Sequence, residues 1–195
     1  MSAGRPRSFD AEKALDRALK VFWRKGYEGT SLTDLTKAMG INRPSLYAAF
    51  GNKEALFRRV LDRYVEGQAA YMAESLAEPT ARSVAERLMH GAIDLMTNPS
   101  CPRGCLLVQG ALACGEEAEP VRREMDSRRA ASELAVRRRF ERARAEGDLP
   151  ASVSPADLAR YVITIVRGMA VQAAGGASRR ELQRVAQVAL RAWPE

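Results

Sequence analysis

The sequence predicts an all-α protein in which a small N-terminal helical unit leads into a larger C-terminal bundle, about nine helices in total. Three observations carry this expectation. Apolar residues recur three and four positions apart along nearly the whole chain, and strand-like alternation is almost absent. Short polar residues suited to helix starts precede these stretches, and glycines or prolines follow them. The length of 195 residues allows one substantial core, or a module of about 50 residues joined to a larger one, and disfavours a multi-domain enzyme.

The first helix is expected from a cap at Asp10 to a stop at Gly26, with Ala14, Leu15, Ala18, Leu19 and Phe22 on its buried stripe. Thr30-Ser31-Leu32-Thr33-Asp34 then offers a hydroxyl cap with a carboxylate three residues after Ser31. It opens a short helix whose Leu32, Leu35 and Met39 are spaced for burial and which Gly40 ends. Ile41 and Asn42 form a turn. A third helix begins at Arg43-Pro44, where proline is tolerated because a first-turn N–H has no helical partner, and ends near Phe50-Gly51. A long fourth helix from the Asn52 cap to about Leu76 turns Leu56, Phe57, Val60, Leu61 and Tyr64 inward and links the two units, placed at 1–52 and 53–195. Further helices are expected at 81–97, 105–114, 117–146, 155–174 and 178–193, divided by Asn98-Pro99, Gly115, Gly147 to Pro150 and Gly175-Gly176.

Charge is distributed unevenly. Residues 1–60 hold 12 Lys+Arg against 6 Asp+Glu, residues 61–195 hold 19 against 18, and all five lysines lie in the first third. A basic unit attached to a neutral one is the footprint of a phosphate-binding module. No stretch approaches the roughly 18 apolar residues of a membrane span, and the basic N-terminus lacks the apolar core of a secretory signal. Cys101, Cys105 and Cys114 are too few and too clustered for a disulfide framework. A cytoplasmic protein without membrane contact is expected. A single histidine cannot build a His-based metal set, and neither a nucleophile–base–orienter spacing nor a Gly-rich phosphate loop occurs, so neither enzyme chemistry nor a cofactor is expected.

Two short helices around a glycine-containing turn, preceded by a packing helix, form a helix-turn-helix, which presents its second short helix to the major groove. The stretch GYEGTSLTDLTKAMGINRPSLYAAFGNKEALF, Gly26 to Phe57, resembles the DNA-binding domain of the tetracycline-repressor (TetR) family in the order and spacing of its Gly-Tyr, Thr-Ser, Gly-Ile, Leu-Tyr, Phe and Asn-Lys-Glu-Ala-Leu elements. Chemistry agrees with the resemblance. Arg43 lies in the first turn of the recognition helix, where a guanidinium can reach a guanine edge or a phosphate. Asn42, Pro44 and Ser45 share that end of the helix. A cation in the first turn opposes the helix dipole, so Lys53 is expected to gain its partner from a phosphate. The resemblance gives Lys53 that role, places Tyr47 on the DNA backbone, and adds Thr30, Ser31 and Thr33 as phosphate donors, with simple capping an equal reading for Thr30 and Ser31. Ala48 and Ala49 depart from the larger side chains of many relatives, which leaves fewer base contacts in mid-helix. Arg5 and Arg7 on the N-terminal arm suit a narrow minor groove, and a tail without DNA contact is the alternative.

The resemblance further implies a small-molecule effector pocket in the bundle and a homodimer joined by the last two helices. Candidate pocket residues are Met89, His90, Ile93, Met96, Cys105, Leu106, Gln109, Arg167 and Gln172. Met89 and Met96 suit core filling equally well, and His90 suits a hydrogen-bonded structural role. The apolar faces expected at the dimer interface comprise Leu158, Tyr161, Val162, Ile165, Val166 and Met169, then Leu182, Val185, Ala186, Ala189, Leu190 and Trp193. The partners so implied are a double-stranded DNA operator with an inverted repeat, a second copy of the chain and an unidentified effector that releases DNA. An architectural protein that coats DNA without sequence preference is the alternative outside the family. Within it, Cys105, expected in a first turn with Arg103 beside it, could act as a thiolate sensor of electrophiles or oxidants with Cys101 as resolving partner. Arg103-Gly104-Cys105-Leu106-Leu107 resembles a segment of family members that respond in this way. Cys114 reads as a small buried hydrophobe.

Overall fold

A computed structural model describes residues 9–112 and 118–194. Its described residues form ten helices and no strand: α1 Ala11–Lys25, α2 Leu32–Met39, α3 Arg43–Phe50, α4 Lys53–Glu66, α5 Tyr71–Ser75, α6 Ala81–Met96, α7 Leu106–Leu112, α8 Glu119–Ala145, α9 Pro155–Ala174 and α10 Arg179–Arg191. Arg5, Arg7 and Cys114 lie outside the described residues.

The starts follow the capping chemistry of the sequence. Side chains of Asp10, Ser31, Asn42 and Asn52 each accept a backbone N–H from the first turn they open, satisfying donors that have no helical partner. Ser31 and Asp34 complete a reciprocal capping box. Gly40 closes α2 at φ +71°, a left-handed conformation that favours glycine, and so permits the sharp turn into α3.

The fourth helix departs from expectation by breaking. It ends at Glu66, Gly67 leaves helical geometry at φ −105° and ψ −88°, and the N–H of Ala69 donates to Tyr64 O at 2.9 Å. The chain resumes as α5, which carries the Tyr71 ring against α6 at Gly91. A β-carbon on Gly91 would lie 2.6 Å from Tyr71 Cδ2, so the bare backbone is what admits the ring. The apolar period continues through this region and therefore conceals the break.

Two cores result. One joins α6, the second half of α8, α9 and α10 around residues such as Leu88, Phe140, Val162 and Trp193. The other fills α1 to α4 with Leu19, Phe22, Leu35, Leu46, Phe57 and Tyr64, and continues into Leu95, Leu106, Val121 and Met125. The core of the N-terminal unit thus runs past residue 52 and takes in α4 and the near ends of α7 and α8.

Candidate DNA interface and effector cavity

Helix α3 carries its apolar residues Leu46 and Phe50 inward and leaves Asn42, Arg43, Pro44, Tyr47 and Ala48 exposed. Asn42 Oδ1 accepts the Ser45 N–H at 2.8 Å, which fixes the helix start. Arg43 Nη2 donates to Thr33 Oγ1 at 3.2 Å, bringing the first turn of α3 against α2. An exposed guanidinium and hydroxyl held together in this way can turn to a phosphate or a base edge with little reorganisation. Lys25 Nζ, 2.6 Å from Asp34, and the Ser31 N–H hold the Asp34 carboxyl well below the usual carboxylate range.

Two residues stand differently from expectation. Thr30 is fully buried and its hydroxyl donates to Gly26 O at 2.6 Å, so its side chain is committed to the turn and is withdrawn from DNA. Lys53 has a local partner: its ammonium lies 4.4 Å from the centroid of the Tyr27 ring, a cation–π contact. Partial burial pulls its pKa down, and Glu28 opposes that shift. Sequence spacing hid this contact because residues 27 and 53 meet only through the packing of α1 on α4.

The bundle holds a mostly apolar cavity of about 60 Å³ where α4, α5, α6, α7, α8 and α9 converge. Of the expected pocket residues, Met96, Cys105 and Arg167 line it. Met89, Ile93 and Leu106 are buried in the cores instead. His90 lies on a separate polar groove between α5 and α6 with Cys101, Gln109 packs against Gly104, and Gln172 is exposed. Their helical spacing was compatible with an inward face, but which inward positions border empty space depends on how six helices meet. Tyr64 of α4 also lines the wall, with Tyr71 and Met72 from beyond the break at Gly67; the sequence marked Tyr64 only as core.

The Tyr64 hydroxyl donates to Cys105 Sγ at 3.2 Å. Burial raises the pKa of Tyr64 well above that of an ordinary phenol and raises Tyr71 likewise, so both rings stay neutral. The Tyr64 ring also meets Trp23 of α1 edge to face at 4.9 Å. The cation expected beside Cys105 is a different one: Arg103 turns away to donate to Ala177 O at 2.7 Å, whereas Arg167 of α9 lines the same cavity as the sulfur. Burial pulls the Arg167 pKa down, and Glu133 opposes this. Cys105 occupies the residue before α7, and its carbonyl accepts from Val108 and Gln109.

On α9 and α10, several residues expected at a dimer interface are consumed by the protomer. Val162, Met169, Leu182, Ala186 and Ala189 are inside its core, and Leu158, Val166, Leu190 and Trp193 are nearly so. The apolar side chains left exposed are Tyr161, Val171, Val185 and Val188, the last at 64%, with half-buried Ile165 beside them on the outward stripe of α9. Tyr161 is held by its hydroxyl, which donates to Ala189 O at 3.2 Å. No helix among the described residues is long and apolar enough to cross a membrane, and no metal-ligating cluster occurs among them.

A three-helix head with a buried core that presents the first turn of α3, set on a helical bundle with its own cavity, defines a helix-turn-helix DNA-binding regulator. Residues 14–60 match the family model for bacterial regulatory proteins of the tetR family, and residues 85–189 match the tetracyclin repressor-like C-terminal domain. The HTH-type transcriptional repressor ComR of Escherichia coli K12 is 36% identical over 196 residues, covering 100% of this chain and 93% of that protein. The repressor BdcR of the same organism is 40% identical over 109 residues, 55% of each chain. A cysteine mutant of the TetR family transcriptional regulator CifR, solved with 26-bp double-strand operator DNA, superposes with a TM-score of 0.92 at 44% identity, covering 97% of this chain and 100% of that one. The chain belongs to the TetR family of transcriptional regulators, which are not enzymes.

Proposed function

We propose that a homodimer of this chain represses transcription by binding an inverted repeat in double-stranded DNA through α3, and that a small molecule in the cavity at Cys105 releases it. The observation that carries this is the exposed start of α3, with Arg43 poised by Thr33, in a chain that matches an operator-bound regulator over nearly its whole length. Ser31, Thr33, Ser45 and Tyr47 supply hydroxyls around it. Lys53 adds a cation, and Arg5 and Arg7 add further positive charge of a kind suited to a minor groove. Footprinting should show a short palindromic protected site and not the uniform coating of an architectural protein. Arg43→Ala should weaken operator binding by about 1–3 kcal/mol and relax base preference. Lys53→Ala should weaken all sequences alike and flatten the salt dependence. Unchanged binding and preference in Arg43→Ala would exclude α3 as the reading element.

A second reading of the signal is favoured by one contact, the Tyr64 hydroxyl donating to Cys105 Sγ in the cavity wall. The phenol holds the sulfur in the cavity wall, where an electrophile that enters would meet it. The sulfur would add to the β-carbon of an enone or quinone, forming an S–C bond as the carbon–carbon π electrons move toward the carbonyl oxygen. The thiol proton ends on the adduct. Cys101 opens onto the other groove, which favours simple addition over a Cys101–Cys105 disulfide. A quinone should therefore add one adduct mass at Cys105 and release operator DNA, whereas Cys105→Ser should stay unmodified and bound. Equal release in both proteins would leave a non-covalent effector as the signal.

A further inference from the structure

The central cavity is too small to hold a typical effector by itself. At about 60 Å³ it falls well short of the ~150 Å³ that accommodates a benzene ring in an engineered protein cavity. It does not stand alone, however. An apolar surface groove of about 310 Å³ runs between α5 and α8, and Ala69, Met72, Leu107 and Ser132 line both spaces. Of these shared residues Met72, unbranched and half-buried, has the side chain best able to swing aside.

The charges in these walls are already matched. Arg167 pairs with Glu133 at 3.3 Å and donates to Arg129 O. Arg129 pairs with Asp126 and donates to Leu107 O at 3.0 Å. Arg128, on the groove, pairs with Asp62 and Glu124 at 2.7 Å each. An anionic ligand would have to compete with these carboxylates, so the walls favour an uncharged one.

We propose that cavity and groove form one bipartite site for an uncharged molecule with an aliphatic tail. A compact polar head lies beside Tyr64 and Cys105, Met72 gates the passage, and the tail lies along α8 past Ala131 and Ala135. This rests on the reading of the cavity as the effector site and adds the ligand's chemical class. The test is calorimetric titration of the full chain with 1-hexanol, 1-octanol and 1-decanol, each beside the carboxylate of equal carbon number. The alkanols are unreactive, so the outcome is independent of Cys105 chemistry. Affinity should rise about fourfold per methylene, and the carboxylates should bind at least about tenfold more weakly. Ala131→Trp, a change at an exposed position that fills the groove, should flatten the dependence on chain length. Val108→Phe, which fills the cavity, should abolish binding, with operator affinity in the absence of ligand reporting that each variant is folded. Carboxylates that bind as well as alkanols, no dependence on chain length, or no binding of any alkanol would overturn the proposal. Binding without chain-length dependence that is still lost in Val108→Phe would leave the cavity reading intact, whereas binding that survives Val108→Phe would overturn both.

Discussion

Replacing Val171 and Val188 together with glutamate should convert the DNA-binding form into monomers and lower operator affinity by at least about a hundredfold. Both side chains are among the most exposed large apolar groups of the protomer, at 48% and 64%, one on the outward stripe of α9 and one on α10. In a two-fold interface each substitution appears twice, so the double variant sets four carboxylates into an apolar contact. A dimer engages two half-sites at once, and the loss of the second half-site removes an avidity of about 10²–10⁴. Sedimentation and a gel-shift titration at fixed salt measure the two effects. An intact dimer would move the interface off this face. Deleting residues 178–195 would not isolate the interface: Leu182, Ala186 and Trp193 belong to the protomer's own core, and the truncated chain should lose its fold along with any interface.

The second large effect is expected at Phe57. Its side chain is fully buried and packs edge-on against Phe22 at 4.9 Å and against Tyr27 at 5.2 Å, joining α4 to α1. Phe57→Ala should cost about 3–5 kcal/mol, a large share of a net stability of about 5–15 kcal/mol. Urea denaturation followed by circular dichroism measures it. Because the Tyr27 ring also seats the Lys53 ammonium, operator affinity should fall even where the variant remains folded. A loss below about 1 kcal/mol would mean that the site collapses around the deleted ring and that the aromatic cluster is not what fixes α4 on α1.

What the sequence made legible is what local chemistry decides. Asp10, Ser31 and Asn52 cap the helices they were expected to open, Gly40 turns the chain between α2 and α3, and Leu35, Leu46 and Phe57 are buried as their spacing requires. The first turn of α3 was legible because exposure there follows from helix phase alone. The cavity was not. Met89 and Met96 sit seven residues apart on the same face of α6, yet only Met96 borders the empty space. That difference comes from the packing of α7 and α9 and has no signature in α6. The break at Gly67 was hidden for a related reason: one glycine in a continuing amphipathic pattern is compatible with an unbroken helix, and the Tyr71–Gly91 fit that stabilises the break joins residues 20 apart in sequence. The outward faces of α9 and α10 were not legible either, because a helix apolar on a wide arc serves two surfaces, and periodicity does not say which residues the protomer keeps for itself.

The contact of Tyr64 with both Trp23 and Cys105 has a thermodynamic corollary. A single buried ring forms part of the wall of the cavity and part of the packing against α1 of the reading head, so a ligand that displaced it would disturb both. Coupling of this kind is reciprocal: whatever factor a bound ligand subtracts from operator affinity, the operator must subtract from ligand affinity. Under the proposed release by a small molecule, protein already seated on its operator would be the least sensitive part of the pool and free protein would fill first, so the concentration at which transcription responds would depend on protein copy number as well as on the chemistry of the cavity.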